Sequence, residues 1–91
     1  MTFVYREHAI RRMFERDISE IDIENTVKHG EVIEEYRDDK PYPSFLSLGL
    51  MEKPLHVVFA KNEEDSEIII ITAYYPDKEK WDDDYKKRIK K

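Results

Sequence analysis

The stretch 54-PLHVVFAK-61, followed by 67-EIIIITAYYP-76, decides the fold of this 91-residue chain. Val57, Val58 and Phe59 are answered by four consecutive isoleucines, Ile68 to Ile71, and nothing else in the chain is apolar enough to centre a core. β-Branched and aromatic residues suit a pleated strand, where their stiff χ1 costs little and the side chains pack well. Apolar runs this short, bounded by turn residues, read as buried strands. The connector Asn62–Ser66 is acidic and has no helical period, so the pair reads as a hairpin with a five-residue loop. His56 interrupts the first strand. An imidazole there needs either a hydrogen-bond partner or a chemical task.

The length sets one domain over residues 1–91, divided into a helical part at 1–30, a sheet at 31–76 and a polar, basic tail at 77–91. The absence of cysteine removes disulfides, thiol chemistry and the usual structural zinc site. No apolar run approaches the ~18 residues of a membrane span, and the reading is a soluble, cytoplasmic protein with no membrane contact. Only two glycines are present, which excludes phosphate loops and dinucleotide fingerprints. A formal net charge of −5 argues against a general nucleic-acid binder, whose affinity comes from neutralising phosphates. The charge is uneven, however. Arg6, Arg11, Arg12 and Arg16 stand against Glu7 and Glu15, and residues 85–91 carry five cations and no acid.

Upstream of the hairpin, Thr2–Tyr5 reads as a short edge strand or an extended lead-in. From about Arg6 the period becomes helical: Ile10, Met13 and Phe14 share an apolar side, with His8, Arg11, Arg12 and Glu15 opposite. Ser19 is a good N-cap for a second helix, with Asp22 three residues on and an Ile18–Ile23 staple. Lys28 and His29 suit its carboxyl end, and Gly30 is a ready left-handed terminator. Glu31–Tyr36 forms a strand. Ser44–Met51 forms another, with Leu46, Leu48 and Leu50 on one side and Phe45, Ser47 and Gly49 on the other. Pro76 stops the last strand, Trp81 folds back as an anchor, and Tyr85–Lys91 suits a short basic helix. The expected architecture is α+β: two N-terminal helices on one face of a four-stranded antiparallel meander, with a short C-terminal helix.

The segments HAIRRMFERDISEIDIENTVKHGEVIEEY, PSFLSLGL, PLHVVFA and ITAYYPDKEKW, spanning residues 8 to 81, resemble the bacterial and archaeal family called domain of unknown function 4258. The resemblance rests on a histidine followed by two arginines at helical spacing, a Gly-Glu at the first full strand, a histidine inside a strand, and Thr-x-Tyr near a terminal Trp. By order of elements the family is similar to RelE-like toxins, messenger-RNA endonucleases with two helices on a small antiparallel sheet. That likeness implies a toxin-like ribonuclease, with RNA or the ribosome as substrate partner and a small antitoxin protein as inhibitor. Fold alone does not fix function.

His8, Arg12 and Arg16 form an i, i+4, i+8 line on the first helix, with Arg11 beside it. Cleaving RNA through its own 2′-hydroxyl needs a base for that proton, an acid for the leaving oxygen, and cations on the phosphorane. Forked guanidinium donors suit the cationic role. His8 or His56 is the candidate base, and Tyr74 or Tyr75 the candidate acid or stacking surface. The competing reading is a solvated helix face whose arginines pair with Glu7, Glu15 and Asp17. For His56 it is a neutral buried imidazole bonded to a backbone group or a tyrosine hydroxyl. Thr72 and Tyr74 share one strand side, Ala73 and Tyr75 the other, and the RelE likeness makes the pair on open sheet a substrate surface. The candidate catalytic set is therefore His8, Arg12, Arg16, His56 and Tyr74, with Arg11, Thr72 and Tyr75 binding substrate. No histidine pair has metal-ligand spacing, and neither metal nor cofactor is expected. The function read from this set is a metal-independent RNA endonuclease. The alternative is a non-enzymatic interaction module, whose sheet edge or apolar face binds a protein or a second copy in a homodimer; the acidic total favours it.

Overall fold

The computed structural model describes residues 1–50 and 52–89. Its elements are β1 (Thr2–Tyr5), α1 (Glu7–Arg16), α2 (Glu20–His29), β2 (Glu31–Tyr36), β3 (Ser44–Leu50), β4 (Pro54–Asn62) and β5 (Glu67–Tyr74). β4 and β5 are the hairpin read from the sequence, with Val57 opposite Ala73 and Ala60 opposite Ile69. Met51 and the final lysines of the expected basic helix, Lys90 and Lys91, lie outside the described residues.

The sheet corrects the expected meander. It has five strands in the order β1-β5-β4-β3-β2, and it is mixed. β2 to β5 run antiparallel, whereas β1 lies parallel to β5 with Phe3 beside Ile68 and Tyr5 beside Ile70. The four isoleucines explain the fifth strand. With β5 at the edge they would border water; with β1 outside it, Ile68, Ile69 and Ile70 are all buried.

Both helices cover one sheet face, as expected, and Ala9 of α1, Ile18 of the connector and Ile23 of α2 join Phe45, Leu55, Val57, Phe59, Ile70 and Ala73 in one core. The rotation of α1 differs from its apolar period. Ala9 is fully buried and Met13 half-buried, but Ile10 and Phe14 point away from the sheet. A small side chain at Ala9 lets the helix approach the sheet closely, which turns the larger residues outward.

α2 starts as its sequence dictates: the Ser19 hydroxyl accepts from the Asp22 amide at 3.1 Å, and Ile18 and Ile23 are both buried. Gly30 does not terminate it in the left-handed region; its φ is −76° and ψ −179°. The need for glycine there is proximity, because a Cβ would strike the Thr26 and Leu48 carbonyl oxygens.

The expected C-terminal helix is absent from the described residues. Pro76 to Ile89 instead folds over the second sheet face as an irregular loop, closed by a bridge between Trp81 and Arg88. The Asp82 carboxylate accepts from the Lys86 and Lys87 amides at 3.3 and 3.4 Å. Those amides are engaged by a side chain, and Tyr85 is left-handed at φ 63°, which a helix cannot accommodate. Among the described residues no helix is long and apolar enough to cross a membrane.

Candidate functional site

A bulge decides which side chains meet on the second face. Val58 pairs with Thr72 and Phe59 with Ile70, leaving Ile71 as the extra residue on β5. Before the bulge Ile68 and Ile70 face the helices; after it Ala73 and Tyr75 do. Thr72 and Tyr74 therefore turn to the other face, and Tyr74 comes directly opposite His56.

His56 is 0% exposed. Its Nε2 lies 2.8 Å from the Tyr85 carbonyl oxygen and its Nδ1 3.2 Å from the Tyr74 hydroxyl. A carbonyl can only accept, so Nε2 carries the hydrogen and Nδ1 presents a lone pair to the Tyr74 O–H, which donates. Trp81 closes the ring off from water, edge-on at 4.4 Å between centroids. Burial lowers the His56 pKa below the ordinary histidine value; the Tyr85 carbonyl and Glu34 oppose this, and Arg88 adds to it. Burial raises the Tyr74 pKa, with Arg88 pulling down and Glu34 pushing up. Tyr36, which donates to the Glu34 carboxylate, is pushed up to about 12, mainly by burial and by that bond.

Beside this pair runs a groove of about 780 Å³, lined by Ile33 and Glu34 of β2 and by Asp82, Lys86, Lys87 and Arg88 of the tail. The Arg88 guanidinium sits 4.8 Å from the Trp81 ring centroid, and Lys86 pairs with Glu31 at 3.1 Å. Three cations line this concavity together with the Glu34 and Asp82 carboxylates, and Glu34 and Arg88 of that lining act electrostatically on His56 and Tyr74. That combination can hold a phosphodiester and move a proton.

The other candidates lie elsewhere. His8 is exposed on α1; Arg11 pairs with Glu7 and Arg12 with Glu15, each at 3.5 Å. Arg16 and Tyr75 come together in a second hollow of about 470 Å³ on the helix side, with Asp17, Asp22 and Lys53. The Lys53 ammonium lies 5.2 Å from the Tyr75 ring centroid. The sheet thus separates His8, Arg11, Arg12, Arg16 and Tyr75 from His56, Thr72 and Tyr74. Sequence reasoning missed Glu34, Tyr85 and Arg88 as neighbours of His56. The run of cations after residue 84 was the available signal, but nothing in it says which face the tail covers. No group of three or more His, Asp or Glu side chains is placed to hold a metal among the described residues.

Fold and site define a small α+β domain whose mixed sheet has helices on one face and a tail-covered histidine–tyrosine pair on the other. The family model described as "Domain of unknown function (DUF4258)" matches residues 5–75, and the chain belongs to that family. The match includes all of β5 and ends at Tyr75; the covering segment from Pro76 onward follows it. No curated protein and no solved structure matches the chain.

Proposed function

We propose that this chain is a RelE-like, metal-independent RNA endonuclease of the toxin type, working at the tail-side groove. The observation that carries this reading is the oriented pair: the Tyr74 hydroxyl donates to His56 Nδ1 while Nε2 is fixed on the Tyr85 carbonyl. A substrate 2′-hydroxyl bound at Tyr74 passes its proton to the phenol oxygen as the phenol proton moves to His56 Nδ1. The 2′ oxygen bonds to phosphorus, the P–O5′ bond breaks, and the 5′ oxygen takes a proton from water at the groove's open end. Arg88 and Lys87 face the charge that builds on the phosphorane, where forked and ammonium donors act most strongly. Products are a 2′,3′-cyclic phosphate and a 5′-hydroxyl. The partners of this reading are single-stranded or ribosome-bound RNA and a small antitoxin protein. His8 and Arg12, across the sheet, take no part in it.

The test is cleavage of a long single-stranded RNA, with and without ribosomes, by the native chain and by Tyr74→Phe, Arg88→Ala, His8→Ala and Arg12→Ala. Cyclic phosphate ends lost in the first two variants and kept in the last two support the tail-side site. Loss in the α1 variants instead moves the chemistry to the first helix. Absence of cleavage from folded protein in both settings ends the nuclease reading.

A further inference from the structure

Three large apolar side chains stand in water on the helix side: Phe14 is 91% exposed, Ile21 70% and Ile10 54%. Ile10 and Phe14 are one turn apart, which places them on a single stripe of α1. Single exposed hydrophobic residues are ordinary, but this stripe continues into a groove of about 590 Å³ between α1 and α2. Tyr5, Met13 and Ile18 form its more buried walls, and its charged lining is Asp17 and Glu20. Neither acid has an ion-pair partner among the described residues. A third carboxylate stands next to the groove, since the Tyr5 hydroxyl donates to Glu24 at 3.2 Å. Arg11, next to Ile10 in the chain, is taken up by Glu7.

We infer that this groove is a docking surface for a basic amphipathic helix of a protein partner. The charge of the lining gives the sign of the partner: apolar anchors fill the space along Ile10 and Phe14 while Lys or Arg beside them meets Asp17 and Glu20. The shape gives the partner its form. A helix laid between two helices seats its ridges in the existing groove, with anchors every three or four residues. α1 spans about 15 Å, enough for two such turns. The surface lies across the sheet from Tyr74 and His56, so it stands independently of the nuclease reading and a partner here leaves the tail-side groove open.

The experiment titrates the isotopically labelled chain with a synthetic helical peptide carrying leucine anchors and lysine flanks. A matched peptide with glutamate flanks runs beside it. The expected result is backbone shifts confined to Ile10–Glu24 with the lysine peptide alone, and affinity at least roughly tenfold weaker in Phe14→Ser. Because the Phe14 side chain stands in water, Phe14→Ser is expected to keep the urea midpoint of the native chain, so loss of binding is not loss of fold. Glu20→Lys should transfer preference to the glutamate peptide. Equal binding of both peptides, binding unaffected by Phe14→Ser, shifts centred on the β1 edge, or no shifts at about millimolar peptide each overturn the inference. So does a concentration-dependent dimer of the chain that Phe14→Ser abolishes, since the occupant is then a second copy.

Discussion

Acidification should destabilise this fold through His56, and the sign follows from its surroundings. Its pKa is lowered in the folded state by burial, against the smaller raising effects of the Tyr85 carbonyl and Glu34; Arg88 acts with burial. The groups facing it across the strands and tail are Tyr74, Trp81, Tyr85, Glu34 and Arg88, with Tyr36 beyond Glu34. In the unfolded chain a histidine titrates near 6.5. As pH falls through that value the unfolded state takes up a proton that the folded state refuses. The contribution is whole above about pH 6.5 and is lost as pH falls from there towards the folded pKa. One proton corresponds to a slope of up to about 1.4 kcal/mol per pH unit. The assay is urea unfolding between about pH 7.5 and 5.5, comparing the native chain with His56→Gln. Glutamine can still donate an amide hydrogen to the Tyr85 carbonyl but takes up no proton, and every other titrating group is common to both proteins. The native curve should fall away from the variant's with acid. Parallel curves, or a native chain that gains stability relative to the variant as pH drops, would refute the buried neutral imidazole.

Two further outcomes test the packing that positions the site. In Gly49→Ala the new methyl falls on the Thr26 side chain, where α2 meets β3, and overpacking should cost about 1–3 kcal/mol. Adding Thr26→Ala should recover part of it in a double-mutant cycle of urea midpoints; full additivity would mean that the two positions do not touch. Trp81→Ala removes a buried indole from His56 and should cost the tail about 3 kcal/mol. Hydrogen exchange should show the Asp82 and Ile89 amides, which donate to Lys87 and Lys80 carbonyls, losing protection while the β4–β5 ladder keeps it. Unchanged tail protection would show that Trp81 does not hold the segment down.

What the sequence discloses here is mainly local chemistry. Ser19, Ile18 and Ile23 announce α2 because cap and staple act within one turn. The β4–β5 hairpin is announced because its composition suits no other structure. β1 was ambiguous because four residues are too few to show a period, and its partner lies more than sixty positions away. α1 was legible as a helix but not in its rotation, since hydrophobicity ranks Ile10 and Phe14 as core while Ala9 is small enough to take the place nearest the sheet. In the tail, the aspartates that suit a helix N-cap serve equally well in a turn, and Asp82 takes the second role.

The candidate site shows why composition alone could name its residues without assembling them. Strict alternation along β5 would carry Ile68, Ile70, Thr72 and Tyr74 on one side, sending Tyr74 into the core and Tyr75 to the open face. The single extra residue at Ile71 reverses that phase and brings Tyr74 to His56. The same reversal places Tyr75 with Arg16 on the helix side, so one bulge sorts the sequence's candidate residues into two separate groups. This phase reversal is testable, because deletion of Ile71 takes out the extra residue alone: Thr72, Ala73 and Tyr74 then follow Ile70 in plain alternation, and Tyr74 should stay opposite His56. Deletion of Ala73 instead, with Ile71 kept, moves Tyr74 to the helix side and should take from His56 the Tyr74 hydroxyl on which the proposed proton transfer depends. An Ile71 deletion that folds but loses the Tyr74–His56 bond, or an Ala73 deletion that folds and keeps it, would refute the reasoning.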